Sequence, residues 1–333
     1  MSLKLAVLGI DHGHIFGMLA GMKAEGASCA QYWTDGPAVT EEKFNSVFPE
    51  VTKVPDRRAI LDGDADMVLI SAVPADRAAL AIEAMEAGKD VMVDKPGCTT
   101  LEQLAAVREC VTRTGRIWSV NFSERFEVRS AVKASQLVAD GAVGRVVQVV
   151  TLAPHKQNLK TRPDWYFRRE RYGGILTDIG SHQVDQFLHF TGSTEVTVAH
   201  ALVENTTMPE NPGFQDFGEM TLVGDCGHGY LRLDWFTPDG LPTWGDGRLF
   251  ILGTEGSIEC RKYTDVGLPH RTDNLYLTNG LRNDYIDCRN VELPYFRLLT
   301  EDIQARTYTA APQEHTFRTM DVAIRAQMKA EGK

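Results

Sequence analysis

The sequence lacks the features of several protein classes. Its 333 residues contain six cysteines but no Cys-x-x-Cys pair, which argues against zinc and predicts reduced, mostly buried thiols in a cytoplasmic protein. No apolar run is long enough to span a bilayer, and no signal-peptide pattern precedes the first apolar strand. A net charge of −10 argues against a nucleic-acid-binding surface, which would need a basic face. We therefore expect no membrane and no nucleic-acid partner.

The chain also lacks a complete dinucleotide fingerprint, which requires glycine at its first, third and sixth positions. The first predicted strand, Leu3–Leu8, runs into Gly9-Ile10-Asp11-His12-Gly13-His14, where only Gly9 fits the pattern and Gly13 is offset. A phosphate can still sit on the helix N-terminus. Asp11 would repel it or else cap the helix, and His12 or His14 could supply a compensating donor. The alternative is a tight strand–helix turn without a ligand.

An acidic residue follows the second predicted strand. Asp35 lies about 20 residues past the glycine turn, where a carboxylate accepts hydrogen bonds from ribose hydroxyls. No arginine or lysine stands beside it in sequence to receive a 2′-phosphate, so the pattern favours NAD over NADP. The alternative is an ordinary Asp-Gly turn.

Strands and helices alternate along residues 3–121, and this alternation predicts a doubly wound parallel sheet. Met67–Ile70 is a continuous apolar run typical of a strand buried on both faces. After a helix at 128–139 the apolar runs follow one another largely without helices, which predicts a large, open, mostly antiparallel sheet. The sequence therefore predicts an α/β protein with a Rossmann domain at 1–123 and a second domain at 124–333, for substrate binding and oligomerisation.

Two segments carry candidate proton-transfer residues. Lys95 ends an apolar strand at the carboxyl edge of the predicted sheet, where ligands bind in this architecture, although an isolated Asp-Lys-Pro is more often a surface turn. Asp178, His182, Asp185 and His189 follow at helical spacings. The alternatives are N-capping by Asp178 or Ser181, a core histidine at 189, or a metal shared by Asp178 and His182. Because spacing shows no third ligand, we expect no metal.

A basic segment lies between these two. Residues 155–172 contain six lysines and arginines and three aromatic residues in a row. Such a segment can recognise a carboxylate or phosphate on a substrate, and the alternative is a solvated or subunit-facing loop. His155, Arg162 and Trp165 are its candidate substrate contacts.

The chain resembles the Gfo/Idh/MocA family, named for glucose–fructose oxidoreductase and inositol dehydrogenase. Ala87–Pro96 is similar to the family's A-G-K-x-V-x-x-E-K-P stretch, with Asp94 for the usual glutamate. Asn121–Phe126 is similar to its G-Y-x-x-R-F stretch. Gly173–Asp185 is similar to its long G-G-x-L-x-D-x-G-x-H-x-x-D signature. Pro74 and Arg77 stand where the family often has asparagine and histidine near the cofactor.

The resemblance implies NAD(P)-dependent hydride transfer at a hydroxyl carbon of a sugar, cyclitol or related polyol, in a homodimer or homotetramer. It implies that His182 is the acid or base, that Lys95 contacts the substrate and that Asp178 positions it. The expected cofactor residues are Gly9, Asp11, His12, Gly13, His14, Asp35, Pro74, Asp94 and Pro96. Asn121 and Arg125 join the expected substrate contacts. The alternatives are a non-catalytic dinucleotide- or sugar-binding regulator, and a redox-assisted lyase or glycosidase that recycles NAD.

Overall fold

The computed structural model describes residues 2–265, 267–268 and 271–333. Two compact units are formed by these residues. The first comprises the chain up to Asn121 together with Pro163–Gly173 and Pro294–Met320, and the second comprises Phe122–Arg162, Gly174–Leu293 and Asp321–Lys333. The predicted domain division at 123/124 stays a prediction, while two later segments belong by their contacts to the first unit.

A parallel sheet with the strand order β3-β2-β1-β4-β5-β6 forms the centre of the first unit. This order is that of a doubly wound dinucleotide-binding fold. The central strand β4 is fully buried, as its continuous apolar run predicts. The strands are β1 Lys4–Leu8, β2 Ser28–Trp33, β3 Thr52–Lys53, β4 Met67–Ile70, β5 Asp90–Asp94 and β6 Trp118–Asn121.

Helices connect these strands. They are α1 Ile15–Ala24, α2 Glu41–Val47, α3 Arg58–Leu61, α4 Arg77–Glu86 and α5 Leu101–Thr114. Helix α5 shows how local sequence sets their bounds. The Thr100 hydroxyl accepts a hydrogen bond from the Gln103 backbone N–H at 3.2 Å, and Gly115 ends the helix at φ +65°, a conformation that costs glycine little.

The second unit is built on a mixed sheet with the order β14-β13-β12-β11-β7-β10-β9-β8. Only the β7–β10 pair is parallel among the pairings of the described residues. The strands are β7 Val146–Pro154, β8 Val196–Glu204, β9 Phe217–Gly224, β10 His228–Asp234, β11 Arg248–Gly253, β12 Gly256–Arg261, β13 Asn274–Asn279 and β14 Asn283–Asp287. The prediction of a large, open, mostly antiparallel sheet is confirmed.

The helices of this unit are α6 Ser123–Phe126, α7 Arg129–Ala139, α9 Ile175–Asp178 and α10 Gly180–Thr191. Helix α10 packs on β7 and β10, and α7 packs on β12 and β13. The remaining helices are α8 Arg169–Tyr172 and α11 Tyr295–Ala305 in the first unit, and α12 Gln313–Ala330, which begins in the first unit and ends in the second.

Sequence periodicity misses several elements. It predicts neither helices α2, α3 and α11 nor strands β3, β13 and β14. The hairpin β13–β14 has asparagine or aspartate at all four of its strand ends, and β14 is a partly exposed edge strand with little apolar alternation. Among the described residues, no helix is both long and apolar enough to cross a membrane, and all six cysteines are free thiols, five of them buried.

Candidate functional site

The turn after β1 is shaped by a close backbone approach. Gly9 has φ +80°, and its N–H donates to the Trp33 carbonyl at 2.7 Å. A Cβ at this position would collide with the backbone and side chain of Ala72, so only glycine fits. A Cβ at Gly13 would meet nothing within 4 Å. The turn is therefore tight against the sheet at Gly9 and open at Gly13, ahead of the ten-residue helix α1.

Asp11 does not cap this helix. The N-cap residue of α1 is His14, and its side chain makes no capping hydrogen bond. Burial raises the pKa of Asp11 from its ordinary 3.8 to about 6, and the Arg77 guanidinium opposes part of that rise. The alternative in which Asp11 caps the helix is wrong, and its charge is instead disfavoured where it lies.

Both histidines of the turn point to one buried carboxylate. The Nδ1 atoms of His12 and His14 lie 2.9 and 2.8 Å from different oxygens of Asp94, and their rings meet edge to face with centroids 4.4 Å apart. Burial lowers the pKa of His12 to about 4, although Asp94 opposes the shift. His12 is therefore neutral near pH 7.

Asp94 is held by further donors from two other segments. Ser71 Oγ donates to it at 3.2 Å and Arg77 at 2.9 Å. Burial alone would raise its pKa, but Arg77 and the two histidines hold the pKa of Asp94 well below its usual range. These observed contacts of Asp94 are all within the protein and do not test its contact with a cofactor, which stays a prediction.

The other expected cofactor residues surround the ends of β2, β4 and β5. Asp35 is exposed just past β2, where a carboxylate can meet ribose hydroxyls. Pro74 opens a single 3₁₀ turn after β4. The Lys95–Pro96 peptide is cis, and Lys95 is 6% exposed. The open turn before α1 and the exposed Asp35 fit a dinucleotide, since a phosphate can accept backbone N–H groups at the helix N-terminus.

In the second unit, Asp178 ends α9 and His182 lies in the first turn of α10. They are 9% and 3% exposed. The His182 and Phe122 rings meet edge to face, with centroids 6.3 Å apart. The N-cap residue of α10 is Ile179, so neither Asp178 nor Ser181 caps the helix. Two buried polar side chains without a capping duty are thereby brought to the start of one helix.

Two further polar residues of this helix have other tasks. Asp185 is fully buried and accepts two hydrogen bonds from Arg125, at 2.6 and 2.8 Å. This bidentate pair engages the Arg125 guanidinium within the unit, and substrate contact by Arg125 stays a prediction. His189 is exposed and lies 2.9 Å from the Ser135 hydroxyl, so it is not a core histidine.

An aromatic cluster surrounds Arg162. Its guanidinium lies 4.9 Å from the ring centre of Trp235 and 5.0 Å from that of Trp244, within the range of cation–π attraction. The His155 ring packs against the same two tryptophans. Sequence reasoning found His155 and Arg162 but missed both tryptophans. A Trp at the end of β10 was the available signal.

The structure divides the basic segment between the two units. Trp165 and Arg171 belong to the first unit and Arg162 to the second. Arg171 pairs with Asp76 at 2.6 Å. Asn121, at the end of β6, pairs in register with Asp94 and is buried. Substrate contact by Asn121 and anion recognition by the basic segment stay predictions.

Metal-ligand geometry is limited to one group among the described residues. His12, His14 and Asp94 have ligand atoms within 4.8 Å of one another, and the carboxylate is already bonded to Arg77. Asp178 and His182 are not part of such a group in the described chain. The metal alternative at Asp178 and His182 thus lacks a third ligand.

Comparisons with known proteins agree with this architecture. Residues 27–122 match the model of an oxidoreductase family with an NAD-binding Rossmann fold, and residues 131–259 match the GFO/IDH/MocA C-terminal domain. A crystal structure from Erwinia carotovora atroseptica SCRI1043, of a protein assigned to the oxidoreductases, is 41% identical, has a TM-score of 0.95 and covers 99% of both chains.

Relatives with established reactions are more distant. The NAD⁺-dependent scyllo-inositol 2-dehydrogenase of Bacillus subtilis is 28% identical over 59% of this chain and 55% of its own length. Levoglucosan dehydrogenase of Pseudarthrobacter phenanthrenivorans is 29% identical over 47% of this chain and 40% of its own. The matches thus span about half of these relatives. A levoglucosan dehydrogenase structure with NADH has a TM-score of 0.79 at 18% identity and shows the fold alone.

The NAD-binding first unit and the matched second domain lead to one assignment. The chain belongs to the Gfo/Idh/MocA family of NAD-binding oxidoreductases.

Proposed function

We propose that the protein is an NAD-dependent dehydrogenase that oxidises a CH–OH group of a sugar, cyclitol or related polyol. The observation that carries the proposal is that the polar side chains of Lys95, Asp178 and His182 are all buried. Ionisable side chains are seldom buried in globular proteins, and active sites are where burial is used to tune them. The sugar and cyclitol relatives support the substrate class.

In this mechanism each residue has one task. NAD, held at the turn before α1 and by Asp35, supplies the acceptor for the hydride. His182 takes the proton of the reacting hydroxyl, as general bases in such oxidations do. The Lys95 ammonium donates a hydrogen bond to the substrate oxygen, and Asp178 fixes the substrate's orientation. The exposed Asp35 without a nearby sequence cation favours NAD over NADP.

The aromatic cluster around Arg162 supports a role in substrate binding. Trp235 and Trp244 offer flat apolar faces of the kind that pack on sugar rings, and Arg162 adds a positive charge between them. We infer that this cluster selects polyols that carry an anionic group. Trp244→Ala should then raise KM more than it lowers kcat.

A panel of polyols tests the reaction. NAD reduction is followed at 340 nm with neutral and acidic sugars and cyclitols, and NADH binding by fluorescence. His182→Ala should lower turnover by about 10²–10⁴-fold with NADH binding kept. The matched control is His189→Ala, the same substitution on the exposed face of the same helix. Equal rates for the two variants would remove His182 from the mechanism.

A second function is favoured by a specific observation, the replacement of two fingerprint glycines by Asp11 and His14. A non-catalytic dinucleotide-binding regulator would bind NADH but would not catalyse the reduction of NAD by any polyol. Product formation without net NADH would indicate instead a lyase or glycosidase that recycles its NAD.

The outer face of the eight-stranded sheet suggests a second copy as partner. Tyr230, Val150 and Phe250 pair across β10, β7 and β11 and are half-exposed on the face away from buried Leu249 and Ile251. Half-exposed apolar rows of this kind mark interaction sites. We infer a homodimer or homotetramer, which Phe250→Asp should dissociate in light scattering.

A further inference from the structure

Arg77 is the first residue of α4, and its side chain reaches the turn that carries Lys95. It is fully buried, and its Nε donates to the Ala72 carbonyl at 2.7 Å. One terminal nitrogen reaches the carbonyls of Asp94, at 3.0 Å, and Pro96, at 3.2 Å, and also bonds the carbonyl of Lys95. A single guanidinium thus holds three successive peptide groups around Lys95.

The other terminal nitrogen of Arg77 bonds the carboxylate of Asp94 at 2.9 Å. That carboxylate also accepts from Ser71 and contacts the Nδ1 atoms of His12 and His14. Asp94 therefore joins the turn before α1 to the turn after β5. Buried charges persist when they are paired and hydrogen-bonded, and the Arg77 guanidinium is paired with Asp94 and donates to backbone carbonyls from Nε and one terminal nitrogen.

We propose that Arg77 is a positioning residue that fixes Lys95, through the carbonyls of residues 94–96 and the Asp94 carboxylate. This inference rests on the proposed function of Lys95 as a substrate contact. Arginine is suited to the task because its planar fork carries five N–H donors in fixed directions. A lysine at 77 would keep the charge but bring its donors to a single point, so it cannot serve Ala72, Asp94 and Pro96 together.

The test compares Arg77→Lys with Arg113→Lys. Arg113 belongs to the same unit, and its bond to Glu86 is on the surface, so its variant is the control. Arg77→Lys should lower kcat by about 10²-fold, the effect of a misplacement of about 1 Å, with a much smaller change in KM. Arg113→Lys should leave both constants unchanged.

A second readout does not depend on turnover. Reductive methylation with ¹³C-formaldehyde gives each lysine an NMR signal, and Lys95→Arg identifies that of Lys95. Arg77→Lys should shift this signal, and Arg113→Lys should not. Ser71→Ala removes one hydrogen-bond donor from Asp94 without changing the charge of the protein. It should shift the Lys95 signal in the same direction as Arg77→Lys but by less. This variant provides the test if Arg77→Lys does not fold.

The outcomes separate the two ideas. If none of the polyols supports NAD reduction by the wild type but the Lys95 signal still responds to Arg77→Lys, the proposed reaction fails and the positioning role stands. If the wild type turns over and Arg77→Lys leaves kcat and the Lys95 signal unchanged, the positioning role is overturned. A Lys95 signal unmoved by Ser71→Ala, where the Arg77 variant does not fold, overturns it as well.

Discussion

Burial makes the ionisation of Asp11 unfavourable for folding, and Asp11→Asn should reveal this. Burial raises its pKa from 3.8 to about 6. At about 1.36 kcal/mol per pKa unit this is a penalty of about 3 kcal/mol on the ionised form. Because the side chain is partly exposed, solvent screening reduces this penalty. We therefore expect the free energy of unfolding of the variant to rise by about 1–2 kcal/mol.

The sign of the pH dependence follows from the direction of the shift. The folded state binds the proton more tightly than the unfolded state, because the folded pKa is the higher one. The penalty is therefore complete above about pH 6, shrinks as the pH falls towards 4, and is absent below the unfolded pKa. Asp11→Asn should be more stable than the wild type at pH 8 and equal to it near pH 3.5.

Urea unfolding at several pH values measures the free energy of unfolding, and NADH fluorescence measures binding. Glu25→Gln, an exposed carboxylate at the end of α1, is the control for loss of one charge. We expect Asp11→Asn also to tighten NADH binding at pH 8, because the proposed NAD site at this turn would then hold one negative charge less beside the pyrophosphate. A stability gain of the same size at pH 4 and pH 8 would refute the reasoning, and weaker NADH binding would show that the carboxylate contacts the cofactor.

Two further predictions concern the second unit. Arg125→Met leaves the buried Asp185 carboxylate without its partner and should cost about 3–5 kcal/mol in urea unfolding, while Arg125→Met with Asp185→Leu should cost less than that single change. A buried side-chain oxygen without a protein partner in the described chain occurs on each of Thr151, Ser130 and Gln183. All three residues line a cavity of about 30 Å³, which is enough for one or two waters. If water bonds these oxygens, Thr151→Val should destabilise the protein by about 1 kcal/mol, whereas a more stable variant would mean a dry cavity.

Much of the candidate site could be predicted from the sequence. Lys95 follows a strand and precedes a proline, and Asp178 and His182 lie in a long signature, so their chemical type and place in the chain were visible. The tasks of their neighbours were not. Helical spacing grouped Asp185 and His189 with His182, yet one is bound by Arg125 and the other is exposed, because spacing shows a common face and not the partners opposite it.

The sequence by itself determined the two sheets and the residues fit for proton transfer, because strand and helix periods and turn residues are local properties of the chain. Only the tertiary structure decided that the Asp94 carboxylate is contacted by His12, His14, Ser71 and Arg77 together. These residues come from separate turns that meet because parallel strands end at the same edge of a sheet. The histidines of the altered glycine turn contact the carboxylate beside Lys95, and a contact across 80 residues of chain cannot be read from spacing.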